Sequence, residues 1–259
     1  MVQTAYKTSM NTVKFLTVIV PLYNEQQNIL PLYMEIRNSL EPLGKDWDVL
    51  FVDDGSTDAS LDVIKRLAGD SEHVSYLAFA ANRGQSAAFA AGFQAARGEV
   101  VITIDADLQN DPADIPAMLR RFEEGNDMVI GWRAKRMDSR AKRLASRWAN
   151  AIRNALTNEN VIDTGCSLKI MRADMARSLP MFTGMHRFLP TLMKLEGARV
   201  DQMQVNHRPR LHGESKYKTF GRAKTAVFDL FAVMWMQRRH IAYSVKEQAG
   251  TREHSGDDA

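Results

Sequence analysis

The chain has 259 residues, 45% of them hydrophobic, with a formal net charge of +3. That length and apolar content suit one large globular α/β domain with appendages. A single cysteine, Cys166, excludes an internal disulfide framework and fits a reducing compartment such as the cytosol.

The first twelve residues, MVQTAYKTSMNT, are polar without an apolar core and read as a loose leader, neither signal peptide nor anchor. Short β-branched runs then alternate with helical patterns. A strand over residues 15–20 precedes a helix from about Glu25, 48–52 precedes 59–68, and 74–79 precedes 84–96. A strand at 100–104, a helix near 115–124 and a last strand near 127–130 follow. Alternation of this kind predicts a mostly parallel sheet with helices on both faces. The strands are apolar at nearly every position, as strands covered on both sides are.

From Arg133 to Arg153 the chain carries eight basic residues (Arg133, Lys135, Arg136, Arg140, Lys142, Arg143, Arg147, Arg153) against one acid, Asp138. Such a block suits phosphates, nucleic acid or an anionic membrane. A Gly-containing turn at Thr164-Gly165-Cys166 and a mixed segment to Tyr217 follow. The most apolar late stretch is AVFDLFAVMWM, residues 226–236, flanked by Arg222, Lys224, Arg238, Arg239 and His240. At about 1.5 Å per residue it falls well short of a hydrocarbon layer roughly 30 Å thick, so it does not span one. With Phe228, Phe231 and Trp235 inside, it suits a helix lying in a membrane interface, and packing on the domain's own core is the alternative. The expected divisions are a leader over 1–12, a catalytic domain over 13–220, an amphipathic interface helix over 221–245 and a disordered polar tail over 246–259.

Chemistry gathers where strands end. The first ends in Val-Pro-Leu-Tyr-Asn-Glu (20–25), the second in Val-Asp-Asp-Gly-Ser-Thr-Asp (52–58) and the fourth in Asp-Ala-Asp-Leu-Gln (105–109). In a parallel α/β sheet the ligand site lies outside the carboxyl ends of the strands. In extended backbone Asp105 and Asp107 point the same way, and Gln109 joins them if the extension persists. Two adjacent carboxylates repel unless a cation is shared. Oxygen ligands of this kind favour Mg²⁺ or Mn²⁺, with substrate phosphates completing the shell. Asp58 reads as a cap for the following helix, Asp53 is open between cap and site, and the loop Asn82-Arg83-Gly84 is explained by a plain turn.

The ordered combination V-P-L-Y-N-E, V-D-D-G-S-T-D and D-A-D-L-Q resembles the family 2 glycosyltransferases of the glycosyltransferase-A fold. His-Arg-Phe-Leu-Pro (186–190) and H-R-P-R-L-H-G-E-S-K-Y (207–217) narrow the resemblance to the dolichyl- or polyprenyl-phosphate sugar transferases, over residues 16–235. The resemblance implies that Pro21, Tyr23, Glu25 and Asp54, with Asp105, bind the donor nucleotide, and that Asp105, Asp107 and Gln109 hold the divalent metal. It implies that Arg133 and Arg147 grip an acceptor phosphate, while Arg210, Ser215 and Lys216 close over the donor diphosphate. Asp107, Arg133 and Arg210 would then carry catalysis.

Where hydroxyl-glycosylating relatives carry an acidic pair, this chain reads Gly-Met-His-Arg-Phe-Leu-Pro, with no carboxylate until Glu196. A hydroxyl must lose a proton to attack well, whereas a phosphate monoester, with a second pKa of about 6, is already mostly ionised. The expected reaction is therefore inverting transfer of one sugar from a nucleoside-diphosphate sugar, UDP preferred over GDP, to a polyprenyl phosphate. His186 is the candidate base for a hydroxyl acceptor, with a structural role as its alternative. The processive signature Q-x-x-R-W is absent. The expected location is peripheral, at the inner face of the cytoplasmic membrane, with a small integral partner or a homo-oligomer as candidate tether. Against these stand a hydroxyl-directed family 2 enzyme, a non-catalytic nucleotide-sugar-binding subunit, a sugar nucleotidyltransferase, which lacks its glycine-rich loop here, and nucleic-acid binding, which lacks an aromatic platform.

Overall fold

β1 (Phe15–Leu22) is the strand on which the sheet is built, with every residue after Phe15 buried. In the computed structural model, which describes residues 13–134, 154, 160–210 and 219–241 and the side chains of the last segment from 228 onward, β1 pairs in parallel with β2 (Asp46–Asp53) and β4 (Val100–Thr103). Outside the described residues lie the expected leader 1–12, Arg147 with most of the basic block, Ser215, Lys216 and the tail 246–259, and also the side chains of Arg222 and Lys224.

With β3 (Val74–Ala78), β5 (Met128–Arg133), β6 (Lys169–Arg172) and β7 (Val200–Val205) the sheet has seven strands in the order β3-β2-β1-β4-β6-β5-β7. Only β6 runs against its neighbours, antiparallel to both β4 and β5. The continuous apolar runs follow from coverage on both sides. Leu16, Val18 and Val20 of β1 join Val49, Phe51 and Ile102 in one layer. Ile19 joins Leu50, Val52 and Val101 in the other.

The first layer is closed by α1 (Ile29–Leu40), α2 (Ser60–Asp70) and α4 (Ile115–Glu123). On α1 the buried residues Ile29, Leu32, Tyr33, Ile36 and Leu40 recur at helical spacing, which is why this segment is a helix with one covered face. The second layer is closed by α3 (Gln85–Ala95), α5 (Ala173–Ser178), α6 (Leu189–Leu195) and Val233 of α7 (Thr219–Arg239).

The first helix starts four residues later than the sequence pattern indicates, because the segment before it is recruited to the neighbouring loop. Asn24 takes a left-handed backbone (φ 54). Its side-chain oxygen accepts the backbone N–H of Thr57 at 2.7 Å, and its own N–H donates to Ser56 Oγ at 2.9 Å. Glu25 N–H donates to Ser60 Oγ at 2.9 Å. The loops after β1 and β2 are thus stitched together above the sheet. The strand expected near 127–130 also runs on to Arg133, and the two strands that complete its side of the sheet, β6 and β7, have no counterpart in the sequence reading.

Gly55 fixes how the β2 loop meets the β3 loop. Its φ is +71, and a Cβ there would lie 2.6 Å from the Ala81 carbonyl carbon and 2.8 Å from Asn82 N. Because backbone rather than a flexible side chain blocks that space, Gly55→Ala is expected to lower unfolding free energy by on the order of 2 kcal/mol. An unchanged midpoint in urea would contradict this packing.

Candidate active site

Four loops and one strap meet at the carboxyl edge of the parallel strands. The first loop follows β1. Pro21 lies within that strand, buried and in register with Val52, while Tyr23 and Glu25 beyond it are half-buried. Glu25 accepts the side-chain amide of Asn28 at 2.6 Å.

After β2, Asp53 accepts the backbone N–H of Ser56 at 3.1 Å and also its hydroxyl, so it shapes its own turn. Asp58 accepts the N–H of Ser60, the first residue of α2, at 3.0 Å, but the residue at the cap position itself is Ala59, which has no side chain to cap with. Asp54 is 5% exposed, and its two oxygens accept the N–H groups of Arg83 at 2.6 Å and Gly84 at 2.8 Å. The Asn82-Arg83-Gly84 loop is therefore more than a plain turn: it is tied to the acid at the end of the adjacent strand.

Past β4 the expected extension does not persist. The chain turns at residues 106–107, and Leu108 adopts φ 61, a conformation that costs a branched residue about 1–2 kcal/mol. Its side chain is 3% exposed, and that burial holds it there. Asp105 and Asp107 are brought together by this turn rather than by strand pleating. Gln109 contributes its backbone, donating N–H to Asp107 Oδ1 at 3.1 Å.

Asp105 accepts the side-chain amide of Gln85 at 2.7 Å, from the first turn of α3. Its carboxyl is pushed up to about 6, first by burial and then by the charge of Asp107. Lys169, Ser167 and Arg133 act in the opposite direction. Lys169 is 4% exposed at the start of β6 and donates to the Cys166 carbonyl, and burial depresses its ammonium.

The last residue of β5, Arg133, stands at the same rim. Its Nε and Nη2 donate to the two oxygens of Asp163 at 2.7 and 3.0 Å. Both side chains are largely buried. Arg133 is thus already engaged by a carboxylate that the sequence reading did not single out.

The strap after β7 brings Arg210 to the site. Asn206 donates N–H to Asp114 at 2.7 Å, His207 bridges to Asn110, and Arg208 N–H donates to Gln109 O at 2.8 Å. The Arg208 guanidinium clasps Glu35 at 3.0 and 2.8 Å and Asp111 at 2.8 Å. Two residues on, Arg210 Nη2 meets Asp107 Oδ2 at 2.6 Å. His186 lies elsewhere on the rim, its Nδ1 2.8 Å from Ser86 Oγ, in a short helical turn opened by Gly184.

Among the described residues no group of three or more His, Cys, Asp and Glu side chains is arranged to hold a metal alone. The donor chemistry of Asp105 and Asp107 nonetheless fits a hard divalent ion that takes its remaining oxygens from substrate phosphates. Burial first and the neighbouring Asp107 charge second raise the Asp105 carboxyl, and such an ion offsets both.

This arrangement can be compared with known proteins. The sequence model of glycosyl transferase family 2 matches residues 17–179. The chain belongs to this family. It is a glycosyltransferase. Over 228 residues it is 36% identical to the dodecaprenyl-phosphate galacturonate synthase of Rhizobium johnstonii, covering 86% of this chain and 67% of that one. Over 219 residues it is 33% identical to the undecaprenyl-phosphate 4-deoxy-4-formamido-L-arabinose transferase of Salmonella typhimurium, covering 84% and 67%. Among solved structures, glucosyl-3-phosphoglycerate synthase from Mycobacterium tuberculosis in complex with Mn²⁺, UDP and phosphoglyceric acid has TM-score 0.64 at 18% identity. That likeness covers 88% of this chain and 80% of that one and is one of fold, the glycosyltransferase-A architecture. The family 2 match begins in β1 and ends beyond β6, so it includes Asp105, Asp107, Arg133 and Asp163 and stops short of the strap with Arg210.

Asp163 and Lys169 escaped the sequence reading. The signal for them was local: an acid two residues before a Gly turn, and a lysine opening a four-residue strand with an apolar centre. Breaking one partner of a buried ion pair strands the other. Asp163→Ala is expected to cost about 3 kcal/mol in denaturant unfolding, and the further change Arg133→Met to recover most of it. Additive losses in the double variant would contradict a direct pairing.

Proposed function

We propose that this family 2 enzyme transfers a single sugar from a nucleoside-diphosphate sugar, UDP preferred, to a polyprenyl phosphate, with inversion at the anomeric carbon. One observation carries the reading: a carboxylate pair at the sheet rim, one member held by an arginine on a strap. That is a donor-diphosphate site in outline. The acceptor class is supported by the curated relatives, named as polyprenyl-phosphate sugar transferases over 84–86% of this chain.

Asp105 and Asp107 would hold Mg²⁺ or Mn²⁺, with Gln109 as the third candidate ligand. When bound there, such an ion supplies positive charge to the leaving diphosphate. The chain's own groups do the rest. Tyr23, Glu25 and the loops fixed by Asn24 and Asp54 form the nucleotide side of the cleft, beside Pro21 at the strand end. Arg210, with Ser215 and Lys216, neutralises the diphosphate as it departs. Arg133, oriented by Asp163, and Arg147 hold the acceptor phosphate against its repulsion from the donor. An acceptor phosphate oxygen attacks the anomeric carbon, the bond from that carbon to the diphosphate oxygen breaks, and the nucleoside diphosphate leaves with the electron pair. The nucleophile is already ionised, so no side chain has to take a proton. Asp163 has both oxygens engaged by Arg133, so this acid is not poised as a base, which supports phosphate over hydroxyl as the acceptor group.

The same reading places the protein peripherally, at the cytoplasmic face of the membrane that carries its acceptor. No described helix is long and apolar enough to cross a membrane. On α7, Phe228, Phe231 and Trp235 are 60–65% exposed, while Val233 is fully buried and Leu230 and Met236 pack on the core. Exposed Arg238 and Arg239 continue the helix. An apolar stripe beside basic residues suits a helix lying among anionic headgroups.

Two measurements test this. A panel of nucleotide sugars with a short polyprenyl phosphate, read by product mass, is expected to yield a polyprenyl-phosphate sugar with one candidate. Asp107→Asn should then lower turnover by at least about 10²-fold, and turnover near wild type would sink the assignment. Separately, Phe231→Ser with Trp235→Ser should release the protein from anionic liposomes while leaving turnover on a short, water-soluble acceptor intact. Equal liposome binding by wild type and variant would remove α7 from the membrane reading.

A further inference from the structure

Both acids of the Asp-x-Asp turn are already occupied by the protein's own donors. Asp105 Oδ1 takes the Gln85 amide at 2.7 Å. Asp107 Oδ2 takes Arg210 Nη2 at 2.6 Å, and its Oδ1 takes the Gln109 N–H at 3.1 Å. Two of these donors are neutral and the third is a cation. Asp107 and Arg210 have side-chain exposures of 11% and 26%, so their contact is partly shielded from water. The fields of Glu25 and Asp105 also favour the charged guanidinium in that place.

Arg210 does not arrive there on a loose tether. The preceding residues are sewn down by Asn206 to Asp114, by Arg208 N–H to Gln109 O, and by the Arg208 guanidinium across Glu35 and Asp111. A strap fastened to the chain just after the turn and to α1 delivers one guanidinium to the carboxylate where a divalent ion would bind.

We infer that Arg210 is a resident counter-cation for Asp107, which it leaves for the donor's diphosphate when metal and nucleotide enter. The inference rests on the metal reading given under Proposed function and adds to it an order of events. A metal ion alone must displace a charge-assisted hydrogen bond and leave Arg210 without its carboxylate. A metal ion arriving with a diphosphate hands Arg210 a new anion in exchange. Metal and nucleoside diphosphate therefore bind cooperatively, each tightening the other by the same factor. The free enzyme avoids a bare carboxylate pair, and it also avoids filling its metal position before a donor is present.

The test uses Mn²⁺ and UDP as probes and reads binding rather than turnover. Free Mn²⁺ is followed by its electron paramagnetic resonance signal in titrations of wild type, Arg210→Ala and Arg210→Gln, with and without UDP. Circular dichroism and denaturant midpoints establish that the variants are folded. Without UDP, both neutral variants are expected to bind Mn²⁺ about tenfold more tightly than wild type, within the usual range of coupling between sites. The factor by which UDP tightens Mn²⁺ binding should fall correspondingly. Unchanged or weaker Mn²⁺ binding by both folded variants, with wild type binding Mn²⁺ and UDP together, overturns the partner exchange alone. Failure of wild type to bind Mn²⁺ even with UDP overturns the metal reading as well.

Discussion

Negative charge collected at the end of a buried strand has to be balanced, and the right-hand half of the sheet is arranged around that requirement. Asp105, Asp107 and Asp163 are met by Lys169, Arg133 and Arg210, each delivered by a different part of the chain. Arg133 ends β5, Lys169 begins β6, and Arg210 follows β7. Leaving one such charge buried and unmatched costs several kcal/mol. The strand order β4-β6-β5-β7 is thus inseparable from the electrostatics of the rim.

The left half works differently. Around β1, β2 and β3 the acids are answered by backbone amides and hydroxyls, as with Asp54 on Arg83 and Gly84 or Asp53 on Ser56. Such bonds fix loop shape without adding positive charge. The left half of the rim is thus shaped by neutral donors, and the right half alternates acids with cations. The division suits a family 2 glycosyltransferase, in which one end of the donor is recognised and the other is broken.

The sequence made the left half plain and the right half obscure, for physical reasons. β1 through β4 are continuous apolar runs separated by helical patterns, and that alternation has few other readings. The acids at 105 and 107 were visible for the same reason, as charges directly after such a run. The turn at Leu108 was not visible, because a left-handed leucine is held by burial that only the tertiary structure supplies. β6 is four residues long, with Lys169 and Arg172 at its ends, and its pattern carries no period. The pairing of Arg133 with Asp163 joins residues thirty apart in sequence, and nothing local announces it. The helix α1 begins later than its pattern suggests because residues 24–26 answer to the loop after β2 rather than to their own helical tendency.

The reversed direction of β6 has a geometric corollary. A parallel strand offers its tail to the rim, but this one offers its head. The chain consequently departs at Arg133 and comes back at Lys169 on the same edge, and the excursion between them is a detour that begins and finishes beside the chemistry. Both ends of the excursion are pinned, Arg133 by the two oxygens of Asp163 and Lys169 by the Cys166 carbonyl, so that the chain's exit and return share one buried cluster of charges.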